Sequence, residues 1–172
     1  MNKNIKKMLL VAMFLALGVI MPSVFHAFGA ISGQIFLPMH IPALLAGFVC
    51  GPVYGLIAGF FMPYLSSFTT GMPVLFPMAV TMSFELGVYA LVSGFLYNTK
   101  KKNVYLSLLV AMIIGRITVG VANAIILSAA GNIYSLSAFI NASFVVALPG
   151  ILIQLILIPL LVFLLKDQIK KI

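Results

Sequence analysis

The chain has 172 residues, of which 63% are hydrophobic and 7% are charged, with a net charge of +8 and a mean hydropathy of +1.25. A soluble domain carries about 25% charged residues, so this composition excludes that class and indicates a polytopic membrane protein. We expect one all-α domain over residues 1–172 with six transmembrane helices. The single cysteine, Cys50, rules out an internal disulfide and argues against a structural zinc site.

The apolar segments, taken in chain order, are 8–28, 36–50, 53–67, 73–97, 104–130 and 138–165. Residues 30–67 fit either one bent segment or two short helices, and the lysines decide between these alternatives. Six spans place every lysine on one side of the membrane, which basic residues mark as cytoplasmic. We therefore expect both termini in the cytoplasm of a plasma-membrane protein, and no nucleic-acid partner. The lysines are Lys3, Lys6, Lys7, Lys100, Lys101, Lys102, Lys166, Lys170 and Lys171.

The predicted connections shape the outer half of the protein. Gly51-Pro52 is expected to form a tight inner turn, with the proline opening the next helix. Six of the nine prolines lie between residues 38 and 77, and broken backbone at membrane depth is tolerated where it is buried or lines a cavity. Either these segments enclose an outward pocket, with 29–40 as a mobile cover, or they are kinked helices that only pack. The outer connections are expected at 29–35, 68–72 and 131–137, with Tyr134 at the outer boundary.

Arg116 is the only basic residue outside the lysine groups, and a charge at membrane depth is costly enough to require a partner. Glu85 lies fifteen residues before Lys100, and Arg116 lies fourteen after Lys102. At about 1.5 Å per residue, both are about 21 to 22 Å from the inner face. Two interpretations follow: a buried ion pair that only fixes helix packing, or an arginine that binds an anionic ligand.

Other polar residues favour the ligand interpretation. Arg116, Gly120 and Asn123 recur at i, i+4 and i+7, so they share one helix face. His40, Thr81 and Asn141 are expected near the same depth, and with Glu85 they would surround a site for one small metabolite. The alternatives are that the two asparagines link helices and that His40 is a buried core residue. Gln154 is assigned to helix packing.

Several kinds of chemistry have no motif in the sequence. It contains no GxxxxGK[ST] phosphate loop, so the chain is not expected to hydrolyse ATP. Its only acids are Glu85 and Asp167, which makes a metal site with paired carboxylates implausible. We therefore expect no enzymatic activity, no metal and no cofactor, and a small binding protein that takes its energy from partner proteins.

Two segments carry a resemblance that covers essentially the whole chain. Ala12 and Ala16 form an AxxxA patch in the first span, and residues 37–55 read LPMHIPALLAGFVCGPVYG. The sequence resembles the substrate-binding S components of energy-coupling factor (ECF) vitamin transporters, and is similar to the branch assigned to pantothenate. The resemblance implies that the alanine patch contacts a transmembrane coupling protein, which in turn joins two ATPases.

The same resemblance implies a mechanism. The vitamin binds in an outward pocket closed by the loop between spans one and two, and the loaded protein then tumbles within the membrane lipid against the coupling protein. If Glu85 pairs with Arg116, a monoanionic vitamin must compete for the arginine, which favours a neutral or zwitterionic ligand. Other vitamins or precursors, of the pyridoxine, niacin or folate type, remain alternatives. So do two other classes, a small lipid-modifying enzyme and a self-sufficient proton-coupled carrier.

Overall fold

The computed structural model describes residues 2–27, 29, 31–129, 131 and 135–166. The described residues are almost entirely helical and include no β-strand. Tyr134, Asp167, Lys170 and Lys171, which entered the sequence predictions, lie outside them. The helices are α1 (Lys3–His26), α2 (Ser32–Phe36), α3 (His40–Cys50), α4 (Pro52–Thr70), α5 (Leu75–Thr99), α6 (Val104–Ala129), α7 (Leu136–Val146) and α8 (Leu148–Leu164).

Several of these helices could span a membrane, which supports a multi-pass membrane protein. In the described part, Lys3–His26, Ser32–Cys50, Leu75–Thr99 and Val104–Ala129 are long and apolar enough to cross a bilayer. α7 and α8, bent by 48° at their junction, provide a fifth crossing if they count as one span. α4 has 19 residues but is not in this set, and its last turns carry Ser66, Ser67, Thr69 and Thr70. Six spans and cytoplasmic termini therefore stay predictions.

The central element of the fold is α3, in which every residue from His40 to Cys50 is buried. It packs against α1, α4, α5 and α8. Glycines permit this crowding, since a Cβ on Gly47 would overlap the carbonyl oxygen of Ala90 on α5. At the carboxyl end of α3, the Asn98 amide donates hydrogen bonds to the carbonyls of Gly47 and Phe48, at 3.2 and 2.9 Å.

The turn between α3 and α4 matches its prediction. Gly51 ends α3 with a φ of +90°, a conformation that favours glycine, and Pro52 opens α4. The predicted connection at 29–35, by contrast, is wrong in part, because Ser32–Phe36 is helical. Leu37, with a φ of +50°, ends α2 and separates it from α3, and the two helices together form the candidate span Ser32–Cys50, which begins four residues earlier than the span predicted at 36–50.

Candidate functional site

Three charged or titratable side chains meet in the interior. Arg116 on α6 places Nη1 2.9 Å from Oε1 of Glu85 on α5, and His40 at the start of α3 places Nε2 3.4 Å from Glu85 Oε2. All three residues are more than nine-tenths buried. The predicted ion pair between Glu85 and Arg116 is therefore present, and His40 approaches the second carboxylate oxygen.

Tyr89, one turn after Glu85 on α5, packs against this group. Its ring meets the His40 ring edge-on at 5.4 Å between centroids, and it is fully buried. On its other side the ring lies against Gly115, where a side chain would overlap it. Because Gly115 directly precedes Arg116, the absence of a side chain there lets α6 approach α5 closely enough for the 2.9 Å contact.

The three residues line a cavity of about 330 Å³. Small-molecule sites are typically about 300 to 1,000 Å³, so this volume suits one small metabolite. The Thr81 hydroxyl, also on the wall, donates to the Met78 carbonyl at 3.1 Å. The residues that line the cavity include Gly33, Gln34, Leu37, His40, Met78, Thr81, Met82, Glu85, Arg116, Val119, Asn123 and Ser143.

Glu85 contacts only part of the Arg116 guanidinium. Glu85 lies beside Nη1, whereas Nε and Nη2 are buried and have no hydrogen-bond partner among the described residues. Buried donors are normally paired, and leaving one unpaired costs about 1 to 3 kcal/mol. Nε and Nη2 together form the side edge of the guanidinium, which matches a carboxylate with two parallel hydrogen bonds.

The sequence model described as "ECF transporter, substrate-specific component" matches residues 6–165. The chain belongs to this family. No curated protein and no solved structure matches it. Membership makes the protein the substrate-binding subunit of a membrane transporter, and it supports vitamin binding and an ECF module as partner in general terms. It also agrees with the prediction that the chain is a transport component and not an enzyme.

Five of the seven substrate-binding residues predicted for this S component line the same cavity: His40, Thr81, Glu85, Arg116 and Asn123. The other two do not. Gly120 faces the ring of Phe139 on α7, and a Cβ there would lie 2.9 Å from that ring. Asn141 is exposed on the outside of α7. Their role in substrate binding stays a prediction, and we leave both out of the proposed site.

Two polar residues that the sequence analysis did not single out also line the cavity of the S component. Gln34 on α2 and Ser143 on α7 line the cavity, and Ser143 is buried. Ser143 lies in a wide π-type turn, Asn141–Val146, which rotates the helix face relative to a regular α-helix. The sequence held one indirect indication of Gln34, because the proline cluster led to the prediction that residues 29–40, which include Gln34, cover the pocket. Gln154 is fully buried on α8, and its amide has no hydrogen-bond partner within the described chain.

The predicted partner-binding residues lie away from the cavity. Ala12 and Ala16 are both exposed on α1, whose buried residues are Phe14, Gly18 and Pro22. Among the four candidate spans α1 is the least buried within the protein. Its exposed face therefore leaves the two small residues accessible from the membrane.

Proposed function

We propose that this S component binds a small carboxylated B vitamin, with pantothenate as the first candidate, in the cavity that ends at Arg116. The observation that carries the proposal is that Arg116 lines the cavity while Nε and Nη2 of its guanidinium are buried without a hydrogen-bond partner in the described chain. A ligand carboxylate would satisfy both donors, while Nη1 stays with Glu85. Thr81, Asn123 and Ser143 would meet the ligand's hydroxyl and amide groups.

Glu85 determines how selective the site is for charge. Because Glu85 neutralises Arg116, an anionic vitamin adds uncompensated negative charge to the site. A neutral or zwitterionic vitamin or precursor of the pyridoxine type avoids that cost, whereas the niacin and folate types carry carboxylates and meet it as pantothenate does. The 2.9 Å contact between Glu85 and Arg116 favours this second candidate, whereas the unused guanidinium edge favours the first.

In the proposed transport cycle the cavity faces outward with all lysines on the cytoplasmic side, and the segment with α2 covers the ligand. Gly33, Gln34 and Leu37 from this segment already line the cavity. The coupling protein would contact α1 at Ala12 and Ala16, and two partner ATPases would supply the energy. The S component itself binds its cargo without turning it over.

Isothermal titration calorimetry on the purified protein with pantothenate, nicotinate and pyridoxine tests this proposal. For an anionic vitamin, Arg116→Gln should weaken binding at least tenfold, and Glu85→Gln should preserve or tighten it by removing the competing carboxylate. For a neutral vitamin both variants should weaken binding. Asn141→Ala is the matched polar control. Wild-type affinity in Arg116→Gln, or no binding by any vitamin, would contradict the proposal.

Liposome experiments separate the other classes. Uptake by this chain alone would favour a self-sufficient carrier, and conversion of an added lipid would favour an enzyme. The S-component proposal requires uptake only when the coupling protein and the ATPases are present.

A further inference from the structure

A second cavity, of about 200 Å³, adjoins the one at Arg116. It lies between the end of α1, α2, the start of α3 and the segment that leads into α5. Its own walls include His26, Met39, Met72 and Val74, none of which reaches the first cavity. Six residues line both cavities: Gly33, Gln34, Leu37, His40, Met78 and Met82. The two spaces are therefore neighbouring compartments separated by a few side chains.

The second compartment differs from the first in chemistry. Four of the chain's ten methionines line it (Met39, Met72, Met78 and Met82), together with three prolines, Leu37 and Val74, and its polar side chains are those of His26, Gln34 and His40. Neither Glu85 nor Arg116 reaches it. Methionine side chains are flexible and polarisable, and they make favourable contacts with aromatic rings. This compartment therefore suits an apolar group and not a charged one.

Its size sets the scale of that group. An apolar cavity of about 150 Å³ is sufficient to bind benzene, so about 200 Å³ accepts one ring or a branched alkyl group. At the junction, His40 and the two shared methionines come from different elements, α3 and α5. A ligand with its polar end at Arg116 could pass this junction by displacing unbranched methionine side chains.

We propose that the second compartment is a subsite for the apolar part of the cargo. The cargo is then a two-part molecule, with a polar acceptor group at Arg116 and a ring or branched alkyl group against Met39, Met72, Met78 and Met82. This inference rests on the proposed function, because it extends the same binding site. It makes the methionine compartment a determinant of specificity among molecules that share the polar group.

Single tryptophans can report on each compartment, because the chain contains none. Val74→Trp places an indole at the second compartment only, and Leu127→Trp places one at the first only. Phe68→Trp, on an exposed part of α4 outside both, is the control. Pantothenate, which has a carboxylate at one end and a branched alkyl carbon near the other, serves as the two-part probe, and nicotinate serves as a compact carboxylate.

A two-part vitamin that binds should change the emission of Val74→Trp and Leu127→Trp at the same concentration and leave Phe68→Trp unchanged. Loss of binding in Val74→Trp at an unchanged melting temperature also supports the subsite, since the indole then fills it. In that case Met72→Trp serves as a second fluorescent reporter for the same compartment. Met72→Ala should weaken the two-part vitamin about fivefold through lost apolar contact and leave nicotinate unaffected.

Two results would overturn the inference, and they are distinguishable. If a bound vitamin changes only Leu127→Trp and binds Met72→Ala normally, the second compartment takes no part in binding while the proposed function stands. If calorimetry detects no binding of any probe to the wild-type protein, the proposed function fails and the subsite fails with it.

Discussion

The ring of Tyr89 on α5 occupies the place where a side chain on Gly115 of α6 would project. This contact sets the spacing between the two helices that carry Glu85 and Arg116. Each charge lies about one turn or less from this contact, since Glu85 is four residues before Tyr89 and Arg116 directly follows Gly115. The Tyr89–Gly115 contact therefore links helix packing to the geometry of the site.

Gly115→Ala should separate α5 from α6 and lower stability by about 1 to 3 kcal/mol, the usual cost of overpacking. Ligand affinity should fall as well, since Arg116 moves with its neighbour. Thermal unfolding in detergent, with and without vitamin, measures both effects. Gly120→Ala is the matched control on the same helix, because its Cβ meets only the edge of the Phe139 ring. Equal behaviour of the two variants would contradict the assignment.

Removing one member of the ion pair should be more harmful than removing both charges. Glu85→Ala leaves the Arg116 charge buried without its partner, which typically costs about 3 to 5 kcal/mol. The double variant Glu85→Ala/Arg116→Met eliminates that uncompensated charge and should recover part of the stability while lacking vitamin binding. Unfolding midpoints of the single and double variants test this. A double variant less stable than Glu85→Ala would show that Arg116 stabilises the protein through contacts other than its pair with Glu85.

How far the sequence could predict the site depended on the regularity of each helix. Glu85 and Arg116 were placed level by counting residues from the lysine loop, and this succeeded because helical rise is uniform. Counting could not choose between Val119 and Gly120, because residues at i+3 and i+4 are both neighbours of Arg116 on a helix. The packing of α6 on α5 decided in favour of Val119, which lines the cavity.

Other parts of the site had no signal that a helical pattern could supply. The short helix α2 is too brief to show a period, so the sequence located a cover there without identifying Gln34. In α7, the π-type turn breaks the 3.6-residue period, and counting along a regular helix cannot indicate which of Asn141 and Ser143 faces inward. The methionines drew no prediction because they are common packing residues.

Ser143→Ala should weaken vitamin binding by about threefold to tenfold, corresponding to the loss of one hydrogen bond. Asn141→Ala should leave affinity unchanged because Asn141 is exposed. Calorimetric titration of the two variants, which lie two residues apart on α7, measures the difference. If Asn141→Ala has the larger effect, the inward face of α7 has been assigned incorrectly.

The exposed alanines of α1 should matter for transport and not for binding. Ala12→Leu and Ala16→Leu add bulk to a surface on which small residues permit close helix approach. Because neither residue lines the cavity, vitamin affinity should remain at the wild-type value. Uptake by the complete transporter in proteoliposomes should fail, and co-purification with the coupling protein should decrease. Val24→Leu, at an exposed position near the other end of α1, is the matched control and should transport normally. Normal uptake by both alanine variants would remove α1 from the partner interface.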